Sequence, residues 1–391
     1  MERRLMRVGI DCSLVPGERV GIGQYSYQLV QALSRIDHEN EYLLYPVFYY
    51  TFHPLYRHTR LPEAPNVRVA FRWFPRPVLR ALRHSRAPWF AKEWLLGRVD
   101  VVHSVSFSAP RFRGRRKRLV VTIHDLSFLT HPECHTRENI AHASGGARDA
   151  VAWADALIAV SQHTRHDMIE RLGADPERVV VTYLAPPPHY VREEDPMILS
   201  RVRKTYQLPP QFVLFVGSLE PRKNVTRLLA AYAQLHPALR REVHLVLAGG
   251  RGWLNDDVRS TVERLGVADR VHFIGYVKEA DLPAVYSLAT VFAYPSLYEG
   301  FGLPVVEAMQ CGTPVLTSNV SALPEVAGEA AVLVSPANVE EIAAGLTRLL
   351  EDAGLRAELR ARGYARAQAF SWERCARETL AVYRRVHEHE G

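Results

Sequence analysis

Two glutamates, Glu299 and Glu307, frame a short glycine-containing segment in the C-terminal half of the chain. A carboxylate only accepts hydrogen bonds, so each side chain suits paired hydroxyls such as the two of a ribose. Glu307 falls on the first turn of a predicted helix, where the helix dipole favours a negative charge even without a ligand. The pair therefore predicts either hydroxyl binding or an ordinary strand–helix turn.

Between these glutamates the chain predicts a tight loop that runs into a helix. Gly300 and Gly302 tolerate positive φ angles, and Pro304 is favoured in the first turn of a helix. The amides of Phe301, Gly302 and Leu303 are then expected to point outward at the helix start, where phosphate binds. A phosphate site with hydroxyl-binding carboxylates on both sides predicts a sugar nucleotide as the ligand.

The same stretch resembles the donor-binding signature of retaining glycosyltransferases of family 4, in which a Glu is followed by seven residues and a second Glu. The resemblance runs through nearly the whole chain and is strongest over residues 212–369. It implies an α/β fold of the GT-B type, with two Rossmann-like domains facing each other across a cleft. It also implies that Glu299 contacts the donor sugar, that Glu307 binds the ribose, and that the loop amides hold the diphosphate.

A basic pair, Arg222 and Lys223, lies between a predicted strand at residues 212–217 and a helix that Asn224 is expected to cap. Two cations at a helix start suit a diphosphate, and they would stabilise the charge of the leaving group as the bond breaks. Members of the family bind the donor diphosphate with basic residues of this loop. Many carry Arg directly after the strand glycine, where this chain has Ser218.

Two further loops follow predicted strands of the N-terminal half, where α/β sheets bind ligands. Gly21 and Gly23 lie between the first strand and the first helix, and the resemblance implies that this loop faces the donor diphosphate. His124 and Asp125 follow a strand at residues 119–123. A histidine there is either structural or substrate-binding, and the resemblance favours contact with the donor sugar. Asp125 is interpreted as support for His124 or as a helix cap.

The loop after a predicted strand at residues 270–277 is the candidate site for the nucleotide base. Backbone groups near Tyr276 and Val277 could pair with a base edge, as in the family. Backbone pairing leaves the base unidentified, so UDP, GDP and ADP remain alternatives.

A metal cofactor is not expected. His131, Cys134 and His135 lie close together, but no further ligand pair occurs at zinc spacing. The chain has no Asp-x-Asp motif, and helix dipoles with cations can replace Mg²⁺ at a diphosphate. We therefore expect transfer without a metal.

Composition restricts the cellular location and the partners. The chain has 391 residues, 47% of them hydrophobic, and a formal net charge of +7, which favours an anionic partner. It has neither zinc-finger spacing nor an aromatic RNA-binding signature, which argues against nucleic acid. The four cysteines have no close pairing, and no apolar run reaches the roughly 20 residues that span a bilayer. We expect a cytoplasmic protein, located either in solution or at the inner face of the membrane.

One passage, residues 68–98, is rich in arginine and aromatic residues and has a single acid, Glu93. Basic residues beside Trp and Phe suit the headgroups of an anionic membrane, and residues 111–118 add a second basic cluster. The alternatives are two solvated amphipathic helices that cover the sheet, or a site for an acceptor phosphate.

Alternating strands and helices predict two domains. We expect an acceptor domain at residues 1–193, a linker at 194–211, a donor domain at 212–370 and a terminal helix at 371–391, which in GT-B proteins crosses back to the N-terminal domain. The predicted function is retaining transfer of a hexose, with mannose favoured, from a nucleotide diphosphate sugar to a glycan or lipid-linked acceptor. The alternatives are a sugar phosphorylase or sugar-phosphate synthase on the same fold, or a catalytically silent sugar-nucleotide scaffold.

Overall fold

The computed structural model describes residues 5–15, 21–48, 51–52, 60–70, 96–107, 117–250 and 256–388. The chain forms two compact units. Unit 1 comprises Met1–Leu129, Thr136–Leu184 and Ser371–Gly391, and unit 2 comprises Thr130–His135 and Ala185–Phe370. The first change from unit 1 to the main part of unit 2 therefore comes at Leu184, ahead of the predicted boundary at residue 193.

Unit 1 is built around a parallel sheet with the order β5-β2-β1-β6-β7-β8-β9. Its strands are β1 (Arg7–Asp11), β2 (Glu41–Tyr45), β5 (Val67–Val69), β6 (Val101–Ser104), β7 (Arg118–Ile123), β8 (Ala156–Ala159) and β9 (Val179–Val181), and a separate hairpin contains β3 (Val47–Phe48) and β4 (Thr51–Phe52). Its helices include α1 (Ile22–Ile36), α2 (Ser127–Thr130), α3 (Arg137–Trp153) and α4 (Gln162–Leu172). The central strands are buried along almost their whole length, as expected for a parallel sheet covered on both faces.

Unit 2 repeats this plan with the order β12-β11-β10-β13-β14-β15, again parallel. Its strands are β10 (Phe212–Val216), β11 (His244–Ala248), β12 (Val271–Gly275), β13 (Val291–Tyr294), β14 (Val315–Ser318) and β15 (Ala331–Val334). Its helices are α5 (Pro196–Thr205), α6 (Val225–Ala233), α7 (Pro237–Glu242), α8 (Asp256–Arg264), α9 (Leu282–Leu288), α10 (Leu303–Gln310), α11 (Leu323–Ala327), α12 (Val339–Glu351) and α13 (Ala353–Ala367). The two predicted Rossmann-like domains are thereby confirmed.

The last helix, α14 (Trp372–Glu388), returns to unit 1 and packs along α1. Its buried face includes Trp372, Cys375 and Tyr383. The ring of Trp372 lies 6.0 Å from that of Tyr25 on α1. The terminal segment of the chain therefore completes the core of the first unit.

The segment predicted as a linker, residues 194–211, contains the helix α5. Asp195 caps α5 through a bond from the Met197 amide, 2.8 Å long. Arg201 then bonds Asp281 at 2.7 Å, and Tyr206 bonds the other oxygen of that carboxylate at 2.9 Å. These contacts hold α5 against α9 within unit 2. In unit 1, Ser161 caps α4, since its hydroxyl accepts from the Thr164 amide at 3.0 Å.

Part of the positive charge of the chain is used inside unit 2. Arginines of α13 donate to carbonyls at the ends of three other helices. Arg356 reaches Leu349 O at 2.6 Å, Arg360 reaches Gly312 O at 2.8 Å, and Arg366 reaches Val326 O at 2.9 Å. The last carbonyls of a helix have no partner within it, and cations there also oppose the helix dipole. These arginines are accounted for by the fold.

The proposed membrane-facing passage falls largely outside the described residues, which exclude 71–95 and 111–116. Arg68, which is described, lies 3.5 Å from Glu41. Across the described part of the chain, no helix combines the length and apolar character needed to cross a bilayer.

Candidate active site

The loops that carry the predicted donor residues meet at the point where the strand order of unit 2 reverses. β10 and β13 are neighbours in the sheet, and the chain leaves their carboxyl ends toward Arg222 and Glu299 respectively. Such a switch point opens a crevice between neighbouring loops. Backbone bonds join the two loops, since the Leu297 amide donates to Arg222 O at 2.8 Å.

At this point Glu299 accepts from both predicted cations. Its Oε1 lies 2.7 Å from Lys223 Nζ, and its Oε2 lies 3.0 Å from Arg222 Nη1. The other arm of Arg222 bonds Glu220 at 2.7 Å, and Lys223 also donates to the Tyr294 hydroxyl at 2.6 Å. The structure therefore brings together three of the predicted site residues. Glu220 and Tyr294 were not predicted as site residues.

This ion cluster consists of two cations and two carboxylates, so its formal charge is zero. Burial opposes ionisation of Glu299, but Arg222 and Lys223 outweigh it and hold the pKa of the carboxyl at about 2. Burial lowers the pKa of the Lys223 ammonium, and the neighbouring Arg222 adds to that effect. Because the folded pKa of Glu299 is depressed, its contribution to stability is present above about pH 4.5 and is lost as the pH falls toward 2.

Asn224 occupies the cap position of α6, but its side chain does not cap the helix as predicted. Its backbone is left-handed, with φ 60°, and its amide donates to Pro295 O at 2.9 Å and Pro336 O at 2.7 Å. The side chain therefore ties the loop after β10 to the loop after β13. The Asn224 side chain bonds these distant carbonyls instead of capping its own helix, because both carbonyls are buried and need a donor.

The glycine loop adopts the predicted strand-to-helix turn. Gly302 precedes α10 with φ 102°, and a Cβ there would lie 2.7 Å from Leu323 Cδ2. Among the described residues, the amides of Gly302 and Leu303 have no hydrogen-bond acceptor. The Phe301 ring packs edge-on against Phe370 at 5.4 Å and holds the loop in place. The arrangement presents backbone donors at a helix N-terminus, which suits an anion.

We expect Gly302→Ala to destabilise the protein by about 1–3 kcal/mol, because alanine there combines an unfavourable φ with a contact against Leu323. Gly145→Ala is the matched control: Gly145 lies inside α3 with no atom within 4 Å of the added Cβ, so this variant should gain up to about 1 kcal/mol. Urea unfolding of both variants measures the difference. Equal stabilities would show that the loop relaxes freely.

Glu307 lies on α10 and is bonded to Tyr286 of α9, whose hydroxyl donates to Oε2 at 2.8 Å. Burial raises the pKa of this carboxyl to about 7, although the Tyr286 bond opposes the rise and Glu279 supports it. Tyr190 packs beside Tyr286 at 6.3 Å between ring centroids. The Tyr286 bond fixes one oxygen of the Glu307 carboxyl, and the group ionises near neutral pH. Its predicted contact with the ribose stays a prediction.

The raised pKa of Glu307 predicts a pH-dependent stability that Glu307→Gln removes. Between pH 4.5 and about 7 the folded carboxyl keeps a proton that the unfolded one releases. Its contribution is therefore complete below pH 4.5 and is lost as the pH rises through 7, by on the order of 3 kcal/mol. Urea unfolding at pH 5, 6, 7 and 8 should show wild type losing stability relative to Glu307→Gln. A constant difference between the two proteins would contradict the assignment.

The other residues predicted to bind the sugar nucleotide lie in the expected loops. Their contacts neither support nor oppose a role in binding it. Tyr276 directly follows β12 with 44% of its surface exposed, and Val277 is buried. Ser218 follows β10 and accepts the Glu220 amide through its carbonyl at 2.9 Å. The roles proposed for these residues stay predictions.

In unit 1, His124 follows β7 and is held by two contacts. Its Nε2 donates to Val105 O at 3.0 Å, so Nδ1 of the neutral ring is an acceptor. The Tyr25 ring meets it edge-on at 4.9 Å. Burial lowers the pKa of His124 to about 4, which keeps the ring neutral at physiological pH. Contact with a donor sugar stays a prediction. Asp125 caps the next turn through Ser127 at 3.0 Å, as one of its two interpretations proposed.

A buried polar chain that the sequence did not reveal continues from Tyr25. The Tyr25 hydroxyl lies 3.1 Å from Thr122 Oγ1, which lies 2.8 Å from His103 Nε2. His103 Nδ1 lies 2.6 Å from the hydroxyl of Tyr383 on α14. Burial lowers the pKa of His103 to about 3. Neutral His103 therefore links the terminal helix to the residues around His124.

The loop before α1 has a structural reason for Gly23. A Cβ at that position would lie 2.2 Å from Leu14 O, so the start of the helix can approach the end of the first strand only with glycine there. Gly21 occupies the cap position. Their predicted role toward a diphosphate stays a prediction.

No metal site is evident in the residues that the structure describes, where no group of three or more His, Cys, Asp and Glu side chains could hold an ion. His131 instead lies 5.6 Å from the ring of Tyr298, between ring centroids.

The chain is similar to known glycosyltransferases along most of its length. The profile described as Glycosyltransferase Family 4 matches residues 20–185, and that described as Glycosyl transferases group 1 matches residues 200–366. O-antigen chain mannosyltransferase B of Escherichia coli is 34% identical over 378 residues, which cover 93% of this chain and 96% of that protein. The chain belongs to glycosyltransferase family 4. The enzymatic class expected from the resemblance is thereby confirmed.

Solved structures similar to this glycosyltransferase confirm the GT-B fold. Sucrose-phosphate synthase from Thermosynechococcus elongatus superposes with a TM-score of 0.74 at 21% identity, covering 98% of this chain and 99% of that one. HepE of Anabaena, in complex with UDP and glucose, superposes with a TM-score of 0.72 at 20% identity, covering 97% and 100%. At these identities the likeness concerns the fold alone.

Proposed function

We propose that this glycosyltransferase moves a hexose, with mannose favoured, from a nucleotide diphosphate sugar to a glycan or lipid-linked acceptor in surface polysaccharide assembly, with retention at the anomeric carbon. The observation that carries the proposal is the cluster of Arg222, Lys223 and Glu299 at the switch point of unit 2. The whole-length relative named as an O-antigen chain mannosyltransferase supports the choice of sugar and pathway.

The donor diphosphate is proposed to bind between the basic pair and the amides at the start of α10. Since the ion cluster is formally neutral, it offers no surplus positive charge to an incoming diphosphate. The Gly302 and Leu303 amides and the dipole of α10 supply the additional attraction. As phosphate oxygens approach Arg222 and Lys223, the bonds of these cations to Glu299 weaken and its carboxylate turns to the sugar.

The reaction proposed is front-face attack. The bond from the anomeric carbon to the diphosphate oxygen breaks, and its electron pair stays on that oxygen. The acceptor hydroxyl forms the new bond on the same face, and its proton passes to the departing phosphate. Arg222 and Lys223 stabilise the leaving charge, while the Glu299 carboxylate faces the positive charge that develops on the sugar ring. Neutral His124 is proposed to accept a hydrogen bond from a donor hydroxyl.

Thermal shift with a panel of UDP-, GDP- and ADP-linked hexoses, including mannose, tests the proposal. A donor at about 100 times its Kd stabilises the protein by about 2.7 kcal/mol, which corresponds to roughly 5–10 °C for domains of this size. Free hexoses and nucleoside monophosphates are the controls. A panel without any shift would remove the proposed donor class.

Product analysis with the donor that binds separates the alternatives. Transfer to a lipid-linked or oligosaccharide acceptor with α-configured product from an α-linked donor supports the proposal. Transfer to a soluble sugar phosphate instead would identify a sugar-phosphate synthase, and binding without transfer or hydrolysis would identify a scaffold.

Transfer is also proposed to need no metal. We expect the rate in EDTA to stay within about twofold of the untreated rate, because cations and helix dipoles take the place of Mg²⁺ at the diphosphate. The measurement is initial rate after dialysis against EDTA, with Mg²⁺ restored in a parallel sample. A rate that disappears and returns with Mg²⁺ would contradict metal-independent transfer.

We further propose a cytoplasmic enzyme that contacts the inner face of the membrane through residues 68–98, where aromatic residues are mixed with basic ones. Sedimentation with anionic vesicles at low salt tests this. A protein that stays in the supernatant at low salt would count against membrane contact.

A further inference from the structure

A cavity of about 220 Å³, widely open to solvent, lies in unit 2 near the start of β11 and β12. It is lined by Pro237, Arg240, Arg241, Gly266, Val267, Asp269 and Arg270. A water molecule occupies about 30 Å³ in the liquid, so a group of phosphate size fits.

The lining carries three guanidinium groups and one carboxylate. Asp269 lies 3.1 Å from Arg270 and keeps 73% of its side chain exposed, so it compensates one cation only in part. The cavity therefore holds a surplus of about two positive charges. Burial raises the pKa of the nearby Tyr232 phenol to about 12, and the charges of Arg270 and Arg240 both oppose that rise.

Two of the arginines differ in their present hydrogen bonds: one has an unpaired donor, and the other is already fixed. Arg240 Nε is buried and has no hydrogen-bond partner. A buried donor without an acceptor costs free energy, and an anion in the cavity would recover it if the Arg240 side chain turned to present Nε. Arg270, in contrast, is already fixed, because its Nη1 donates to Arg241 O at 3.0 Å and its Nε to Asp269 at 3.1 Å. A side chain held in this way loses little conformational freedom when a ligand binds.

A pair of neutral histidines, His244 and His272, fixes the position of the Arg270 side chain. Arg270 Nη1 lies 3.3 Å from His244 Nε2. Because a guanidinium only donates, Nε2 of His244 accepts, and its Nδ1 donates to His272 Nε2 at 2.8 Å. This chain of bonds turns the guanidinium toward Asp269 and the cavity.

The cavity is separate from the donor site. His244 and Val271 begin their strands, whereas Ser218, Tyr276 and the glycine loop follow strand ends. A strand of five residues places these two edges of the sheet roughly 15 Å apart.

We propose that this arginine cavity, formed around Arg240, Arg241 and Arg270, is a second anion site that binds a phosphate group. Guanidinium forks match phosphate oxygens in bidentate geometry, which a single ammonium does not. The phosphate belongs either to a lipid headgroup or to a soluble phosphorylated compound. The site is independent of the proposed transfer reaction.

The first test uses crystals soaked in tungstate, an oxyanion with the shape of phosphate and a strong anomalous signal. A peak within hydrogen-bond distance of Arg240 and Arg241 supports the site. An empty cavity in a crystal whose glycine loop binds tungstate would overturn it.

The second test titrates inorganic phosphate into Arg240→Gln/Arg241→Gln by calorimetry. The control, Lys204→Gln/Arg348→Gln, removes the same charge from two exposed positions of unit 2. We expect affinity for the cavity to fall at least about tenfold in the first variant alone, with transfer activity and Tm unchanged. Equal affinity in both double variants would overturn the proposal. Arg270 is left intact because it also bonds the backbone of Arg241.

The third test identifies the source of the phosphate. Both double variants are sedimented with vesicles of phosphatidylcholine containing one fifth phosphatidic acid. A loss confined to Arg240→Gln/Arg241→Gln assigns the site to a lipid headgroup. Equal sedimentation, together with the tenfold loss for inorganic phosphate, assigns it to a soluble phosphorylated compound.

Discussion

Glu299→Gln is expected to lower kcat by about 100- to 1,000-fold while the donor Kd stays unchanged or becomes tighter. Glutamine removes the carboxylate that faces the developing positive charge of the sugar, an interaction that matters only in the transition state. It also leaves the ion cluster with a formal charge of +1, since Arg222 and Lys223 then share Glu220 alone. A positive cluster attracts the diphosphate more strongly. Donor titration and single-turnover rates measure the two quantities.

Glu220→Gln is the matched control for that variant. It also removes a buried carboxylate bonded to Arg222, at 2.7 Å, and it also leaves the cluster at +1. Both variants should lose stability, because breaking a buried ion pair costs about 3–5 kcal/mol. Only Glu299→Gln should lose most of its turnover. Equal losses of kcat would mean that Glu299 acts by holding Arg222 and Lys223 in place.

Lys223→Met is expected to give the opposite pattern for the donor. The cluster becomes −1, so the diphosphate binds more weakly, and the leaving group loses one of its two cations. We expect kcat/KM to fall about 1,000-fold, or about 4 kcal/mol, with a large part of the loss in donor affinity. Methionine keeps the unbranched apolar stem of the side chain but removes the ammonium, which donates to the Tyr294 hydroxyl and lies 5.1 Å from the centroid of its ring.

Lys204→Met is the control for that loss, because Lys204 is an exposed lysine of the same unit. It should leave donor affinity and turnover unchanged. Assays at a temperature below the midpoint of both variants keep unfolding from contributing. A Lys223→Met enzyme with normal donor affinity would show that the amides of α10 hold the diphosphate without help from this cation.

Local patterns in the sequence predicted the elements of the site well. The glycine loop, the helix that begins at Leu303 and the strand before Arg222 were all evident, because glycine, proline and apolar runs act over a few residues. Parallel strands place such loops at one edge of a sheet. The meeting of Arg222, Lys223 and Glu299 is a consequence of that topology.

Contacts between distant residues were not predictable in this way. The Asn224 amide serves two carbonyls from other loops, and Tyr190, which precedes the predicted linker, packs beside Tyr286. His103 and Tyr383 are 280 positions apart, and no local pattern marks either of them. Long-range pairing of this kind depends on the assembled core, which periodicity describes only one element at a time.

Net charge gave an incomplete guide to ligands. The arginines of α13 close the ends of three helices, so part of the positive balance has no external partner. The cavity around Arg240, by contrast, keeps its surplus charge. The distinction depends on which carbonyls lie within reach, and the sequence alone does not reveal that.

The return of α14 to unit 1 has a consequence for synthesis on the ribosome. The N-terminal unit receives Trp372 and Tyr383 from a helix that is made after the main body of unit 2, which is complete at Phe370. Until α14 has been synthesised, α1 lacks the helix that covers Tyr25, and its apolar surface is open to chaperones or to other nascent chains. We infer that the second unit to emerge is the first able to finish folding.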